Sequence, residues 1–142
     1  MTIKKALKVK NRLLKELSSE FHKVSKNNTY YGTKKPPYNA AEALTNFIKI
    51  SDELIDLKTR IHTANMPVFG KIFRLSELKN RVKNLRLLDF DTNQYYDKQS
   101  ETYIFETSTI SIEERDRLIS ELENEIDTIQ DELDHHNSIT TL

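Results

Sequence analysis

The sequence predicts an all-α fold. Three observations carry that expectation: four stretches with apolar residues at alternating spacings of three and four, a composition with two Gly, no Trp and 31% charged residues, and basic and acidic side chains sorted into separate regions. Alternating three-four spacing lines up one row on one side of a helix, because about 3.6 residues complete a turn. A hydrophobic fraction of 37% suits long helices with one wet face better than it suits a sheet protein. The expected architecture is a single helical domain over 1–142. It has four long amphipathic helices in two helical hairpins, an antiparallel bundle or coiled coil, with a small β-hairpin between the third and fourth helices.

The first helix is expected from about Thr2 to Ser25, with Ile3, Leu7, Leu14, Leu17, Phe21 and Val24 as its apolar row, interrupted by Lys10. The following segment, 26–38, holds turn formers and the consecutive Pro36 and Pro37, which no helix interior accommodates. The second helix has the most regular row: Ala40, Ala43, Phe47, Ile50, Leu54, Leu57, Ile61 and Ala64. Asn65-Met66-Pro67 reads as its stop, where the chain reverses or bends, since Asn tolerates the conformation just past a helix end and Pro cannot continue the helix.

The third helix is expected over about Gly70 to Leu88, with Phe73, Leu75, Leu78, Val82, Leu85 and Leu88 apolar. Aromatic and β-branched residues on either side of the turn-like Asp97-Lys98-Gln99-Ser100 predict the hairpin. Ser111 and Glu114 have capping-box spacing and open the fourth helix. Its row is Ile112, Arg115, Ile119, Leu122, Ile126, Ile129, Leu133 and His136, and Asn137 is expected to cap its end. Each regular helix follows a loop and a basic helix and ends at an Asn, which suggests a duplicated helix-loop-helix unit.

Equal numbers of acidic and basic residues conceal the sorting. Residues 1–38 carry ten Lys/Arg against two Asp/Glu, and residues 89–142 carry three against fifteen. One explanation lays the acidic fourth helix against the basic first and third, so that opposite charges select which helices pair. The other turns Lys4, Lys5, Lys8, Lys10, Arg12 and Lys15 of the first helix toward nucleic acid or an anionic membrane surface. Zero net charge weighs against the second.

The catalytic inventory is thin. With no Cys there is no thiol nucleophile or thiolate metal site, which fits a reducing, cytoplasmic setting. Gly32 and Gly70 stand alone, so no glycine-rich loop is on hand to cradle a phosphate. Glu132-Leu133-Asp134-His135 has the spacing of a di-iron ligand pair, but such sites need two of these motifs and two further glutamates. His22, His62, His135 and His136 fall in helical rows or at helix ends, with no nucleophile elbow. No catalytic residue, metal, cofactor or small-molecule substrate is therefore expected. Neither a secretory signal nor a stretch of about 20 apolar residues is visible.

Two loops supply candidate contact groups. Tyr30, Tyr31, Lys34, Lys35 and Tyr38 interleave rings with cations, the raw material of a stacking surface for single strands. The alternative is that these tyrosines cover the end of the helical body with their hydroxyls in water. Tyr95 and Tyr96, with Tyr103 and Phe105, form either a partner-binding patch or a cover for the helix ends.

The stretch Leu54-Ile55-Asp56-Leu57-Lys58-Thr59-Arg60-Ile61-His62-Thr63-Ala64-Asn65, then Leu75-Ser76-Glu77-Leu78-Lys79, and the end Gln130-Asp131-Glu132-Leu133-Asp134-His135-His136-Asn137-Ser138-Ile139-Thr140-Thr141-Leu142, resembles the septicolysin-like family of small helical bacterial proteins. The likeness covers roughly the last two thirds of the chain. It departs at Ser138, where family members often carry Trp after the terminal Asn. The resemblance implies no catalytic motif, and the family label implies a pore-forming toxin.

The expected function is a non-enzymatic helical interaction or scaffold protein. Thin apolar rows on long helices favour a homo-oligomer, most simply a dimer, with a protein partner as a further possibility. A nucleic-acid or anionic-membrane binder using the first and third helices is the alternative, and a pore-forming role is the second alternative.

Overall fold

A computed structural model describes residues 1–91 and 93–142. The chain is 70% helical. Its elements are α1 (Ile3–Asn27), α2 (Ala40–Asn65), α3 (Phe69–Leu85), β1 (Gln94–Asp97), β2 (Thr102–Phe105) and α4 (Ile112–Ile139). The expected stop at Asn65-Met66-Pro67 is not a loop. Met66 keeps right-handed helical torsions and Met66–Val68 forms one 3-10 turn that leads directly into α3. Pro67 is tolerated because the first turn of a helix has no partner for its N–H in any case. The described chain therefore holds three helical stretches, with α2 and α3 following without a gap, in place of four separate helices.

The chain divides into two compact units, Met1–Pro67 with His135–Leu142, and Val68–Asp134. In the first, α1 and α2 pack antiparallel around Ala6, Leu13, Leu54, Leu57 and Ile61. All eight predicted α2 row positions are buried or half-buried. On α1 the inward row differs from the expected one. It runs Ile3, Ala6, Lys10, Leu13, Leu17, Glu20, Val24, Asn27, again at alternating threes and fours, while Leu14 and Phe21 are exposed. Lys10 and Glu20 take row positions because long side chains can lay their methylenes on apolar surface and lead their charge outward. Glu20 bonds Lys23 at 2.8 Å, and Asn27 donates to the Lys23 carbonyl at 2.7 Å.

Helix ends are set by local chemistry. Asn39 Oδ1 accepts from the amides of Ala41 and Glu42, starting α2. Thr2 Oγ1 accepts from the Lys5 amide at 3.4 Å. The first unit is clasped where Thr2 pairs antiparallel with Thr141, the Ile3 amide donates to the Thr140 carbonyl at 2.9 Å, and Leu142 donates to Met1 at 2.9 Å. Asn137 does not cap α4, which continues to Ile139 with the Thr140 amide bonded to the His136 carbonyl.

In the second unit α3 and α4 are antiparallel, with Leu75, Leu78, Ile129 and Leu133 buried among Val68, Ile72, Leu122 and Ile126. Phe73, expected in the row, is instead outside and stacks on Phe69 at 5.9 Å. Ser111 Oγ accepts from the Glu114 amide at 3.1 Å, one arm of the expected capping box, while the Glu114 carboxylate lies 3.9 Å from Arg117. The predicted hairpin is present, with Gln94 opposite Phe105 and Asp97 opposite Thr102.

Leu78 is 1% exposed and anchors the second unit. Leu78→Ala is expected to cost about 2–5 kcal/mol in urea denaturation, whereas exposed Phe73→Ala should cost far less. Asn39→Ala, which removes the acceptor for two orphan amides, should cost about 0.5–2 kcal/mol by the same measurement.

Candidate interaction surface

Helix α1 carries Lys4, Lys5, Lys8, Arg12 and Lys15 outward, and all five are exposed. Its position on α2 dictates this, since the row from Ile3 to Asn27 is turned inward and these five fall outside it. Both ion pairs of α1 among the described residues are internal to the helix, Arg12 with Glu16 at 3.5 Å and Lys23 with Glu20. Glu20 also raises the Lys23 ammonium above its ordinary pKa by its hydrogen bond, against the opposing effect of desolvation.

The explanation that an acidic helix four neutralises the basic helices holds for α3. Lys71 pairs with Glu132 at 2.7 Å, and Arg74 pairs with Glu125 and Arg86 with Glu123. It does not account for the charge on α1. The first unit holds 13 Lys/Arg against 6 Asp/Glu and the second 9 against 16, so the units carry formal charges of +7 and −7.

The 28–39 loop presents Tyr30, Tyr31 and Tyr38 together with Lys34 and Lys35. Tyr31 is 95% exposed, so it covers nothing. Tyr38 has a ring partner, with Lys23 Nζ 5.2 Å from its centroid. Gly32 holds φ +59, the left-handed turn conformation that glycine adopts without strain. Tyr95 and Tyr96 lie on β1 in the second unit, so the twelve candidate residues fall into two separate sets. Both faces of the hairpin are wet, and Tyr96 meets Tyr103 edge-on at 5.3 Å. The expectation that these rings cover helix ends is corrected by their exposure, 50–68% for Tyr95, Tyr96, Tyr103 and Phe105.

Sequence reasoning missed a second set of apolar groups. Leu14 and Phe21 on α1 and Leu44, Ile48 and Ile55 on α2 are 41–62% exposed. Their signal is legible afterwards as a sevenfold spacing, Leu7, Leu14, Phe21, beside the buried row. Among the described residues, two buried polar atoms, Asn65 Oδ1 and His136 Nε2, also lack hydrogen-bond partners.

Of the motif considered for metal, Glu132 is engaged by Lys71. Among the described residues no group of three or more His, Asp or Glu is placed to hold a metal ion, and no helix is long and apolar enough to cross a membrane. An open groove of about 600 Å³ runs beside α3 and α4, lined by Val82, Arg86, Glu123 and Ile126 among others, and the Arg86–Glu123 ion pair occupies its wall. No protein-family model matches the chain, and neither the curated proteins nor the solved structures return a match.

In the hairpin turn Asp97 accepts from the Ser100 hydroxyl at 2.8 Å and the Gln99 amide at 3.1 Å. These bonds, the hydroxyl first, hold its carboxyl below the ordinary value. A depressed carboxylate pKa stabilises above the unfolded value of about 3.9, and that contribution is lost as pH falls through the folded value. Amide NMR signals of residues 94–105 should therefore lose dispersion on acidification below about pH 4, and Asp97→Asn should flatten that dependence.

Proposed function

We propose that this protein is a non-enzymatic helical interaction or scaffold protein that self-associates, most simply as a homodimer, through coiled-coil-like helix packing. One observation carries it. Among the described residues thirteen apolar side chains are buried, while twenty-one large hydrophobics are exposed. Eight of the exposed ones lie on the α-helices, and five of those, Leu14, Phe21, Leu44, Ile48 and Ile55, belong to the adjoining α1 and α2. Scattered exposed apolar residues are ordinary, but rows of them on neighbouring helices mark surfaces that bind.

A second reading, binding to nucleic acid or an anionic membrane, is favoured by one feature: the exposed Lys4, Lys5, Lys8 and Lys15 lie on a unit of charge +7. Such binding releases counterions and weakens steeply with salt.

Light scattering after size-exclusion chromatography, followed on dilution, tests the first reading. A mass near a multiple of 16.7 kDa is expected at micromolar concentration, and 16.7 kDa at every concentration overturns it. For the second, retention of duplex DNA or anionic vesicles should fall between about 50 and 200 mM salt. Retention that is equal at both salts, or absent at both, removes it.

A further inference from the structure

We infer that the α1–α2 pair has a second, built face on which another copy of the same pair docks in parallel two-fold symmetry, giving a four-helix core. This rests on the self-association proposed above and names the surface responsible for it. The face begins at the Phe21–Phe47 ring contact, 5.4 Å between centroids, where exposed Phe21 lies over Phe47 at the margin of the buried α2 row. Leu14 is seven residues before Phe21 and so lies on the same side of α1. On α2, Leu44 and Ile48 flank Phe47 in sequence, and Ile55 continues from Ile48 at the sevenfold spacing. Five of these six side chains are between 41% and 62% exposed, and Phe47 is half-buried beneath them. The result is an apolar strip over both helices, interrupted by Ser18 and Ser51 at the same helical spacing.

Charge chooses the occupant. The strip runs about 16 Å along α2 from Leu44 to Ile55, at about 1.5 Å per residue. The strip also has unlike edges. Beyond Leu14 the α1 edge carries Lys15, and beyond Ile48 the α2 edge carries Asp52; both are exposed, and neither has an ion-pair partner among the described residues.

The Phe21–Phe47 contact fixes the height of one helix against the other, and counting back along α1 and forward along α2 from it brings Lys15 to within about one residue of the level of Asp52. A two-fold axis parallel to the helices places α1 of one copy over α2 of the other without changing height. Each Lys15 then meets the other copy's Asp52, and the contact occurs twice. A face that is apolar in the middle and complementary to itself at its edges fits a second copy of this chain, as an isologous interface requires. An axis across the helices would instead set α1 over α1 and lysine against lysine.

The test compares variants by light scattering, with helix content followed by circular dichroism. Wild type is expected near twice 16.7 kDa, and Phe21→Lys combined with Ile48→Lys near 16.7 kDa with helix content retained. Leu87→Lys, at a 73% exposed position outside the strip, should keep the wild-type mass. Lys15→Glu should weaken the dimer about tenfold in dissociation constant, the scale of a close charge pair turned to repulsion, and adding Asp52→Lys should restore it.

Should the double lysine variant fail to fold, Lys15→Cys with Asp52→Cys gives an independent measurement in a chain that has no cysteine of its own. Oxidation should link two chains in the double cysteine variant, and it should not do so in Leu87→Cys with Asp52→Cys. A wild-type dimer that survives the Phe21 and Ile48 changes and does not cross-link through 15 and 52 overturns this face while leaving self-association standing. A wild type of 16.7 kDa at all concentrations overturns both.

Discussion

The antiparallel seating of the α1 row on the α2 row is the constraint from which most of the first unit follows. Once Ala6 and Leu13 lie against Leu54, Leu57 and Ile61, the rotation of α1 about its axis is fixed. That rotation decides that Lys4, Lys8 and Lys15 are wet, that Lys10 and Glu20 are half-buried, and that Leu14 and Phe21 remain outside. A turn of about 100° about the helix axis would exchange these sets. The apolar rows thus determine both where charge can be displayed and which apolar groups are left without cover.

Charge acts on the second unit in a different way. The α3–α4 ion pairs have partly exposed side chains, Arg74 at 57% and Arg86 at 61%, so water screens them and each contributes little to stability. Their effect is selective: basic α3 beside acidic α4 removes repulsion that a wrong pairing would create. On α1 no equivalent acidic row appears among the helix's ion pairs, and its cationic groups stay available to solvent. One sequence-level feature, the sorting of charge, therefore has two structural meanings within one chain.

The hairpin shows how little is needed to form an element away from a core. Its side chains are mostly exposed, and it is held by strand pairing, the Tyr96–Tyr103 contact and the Asp97 turn. Glu101 adopts φ 52, a left-handed torsion uncommon for a residue with a Cβ, so the turn accepts some strain to bring Thr102 into register. Its exposed rings were legible as aromatic and β-branched residues, but their solvent exposure was not, because aromatic content alone does not say whether a helix lies beneath.

The sequence by itself determined the helical class, the α2 row at all eight positions, the hairpin and the Ser111 cap. Each rests on spacing or on chemistry within a few residues. Tertiary structure decided the rest. Helix α1 contains two overlapping apolar rows, and periodicity mixed Leu14 and Phe21 with Ile3 and Leu17 because neither row is preferred until α2 is present to pack against one of them. Pro67 looked like a break because its ring forbids a helix interior, yet a 3-10 turn places it where that prohibition does not apply. Asn137 looked like a cap for the same local reason, yet the chain beyond it is held by the clasp of Thr140–Leu142 on Met1–Ile3, a contact between residues far apart in sequence that no local signal could announce.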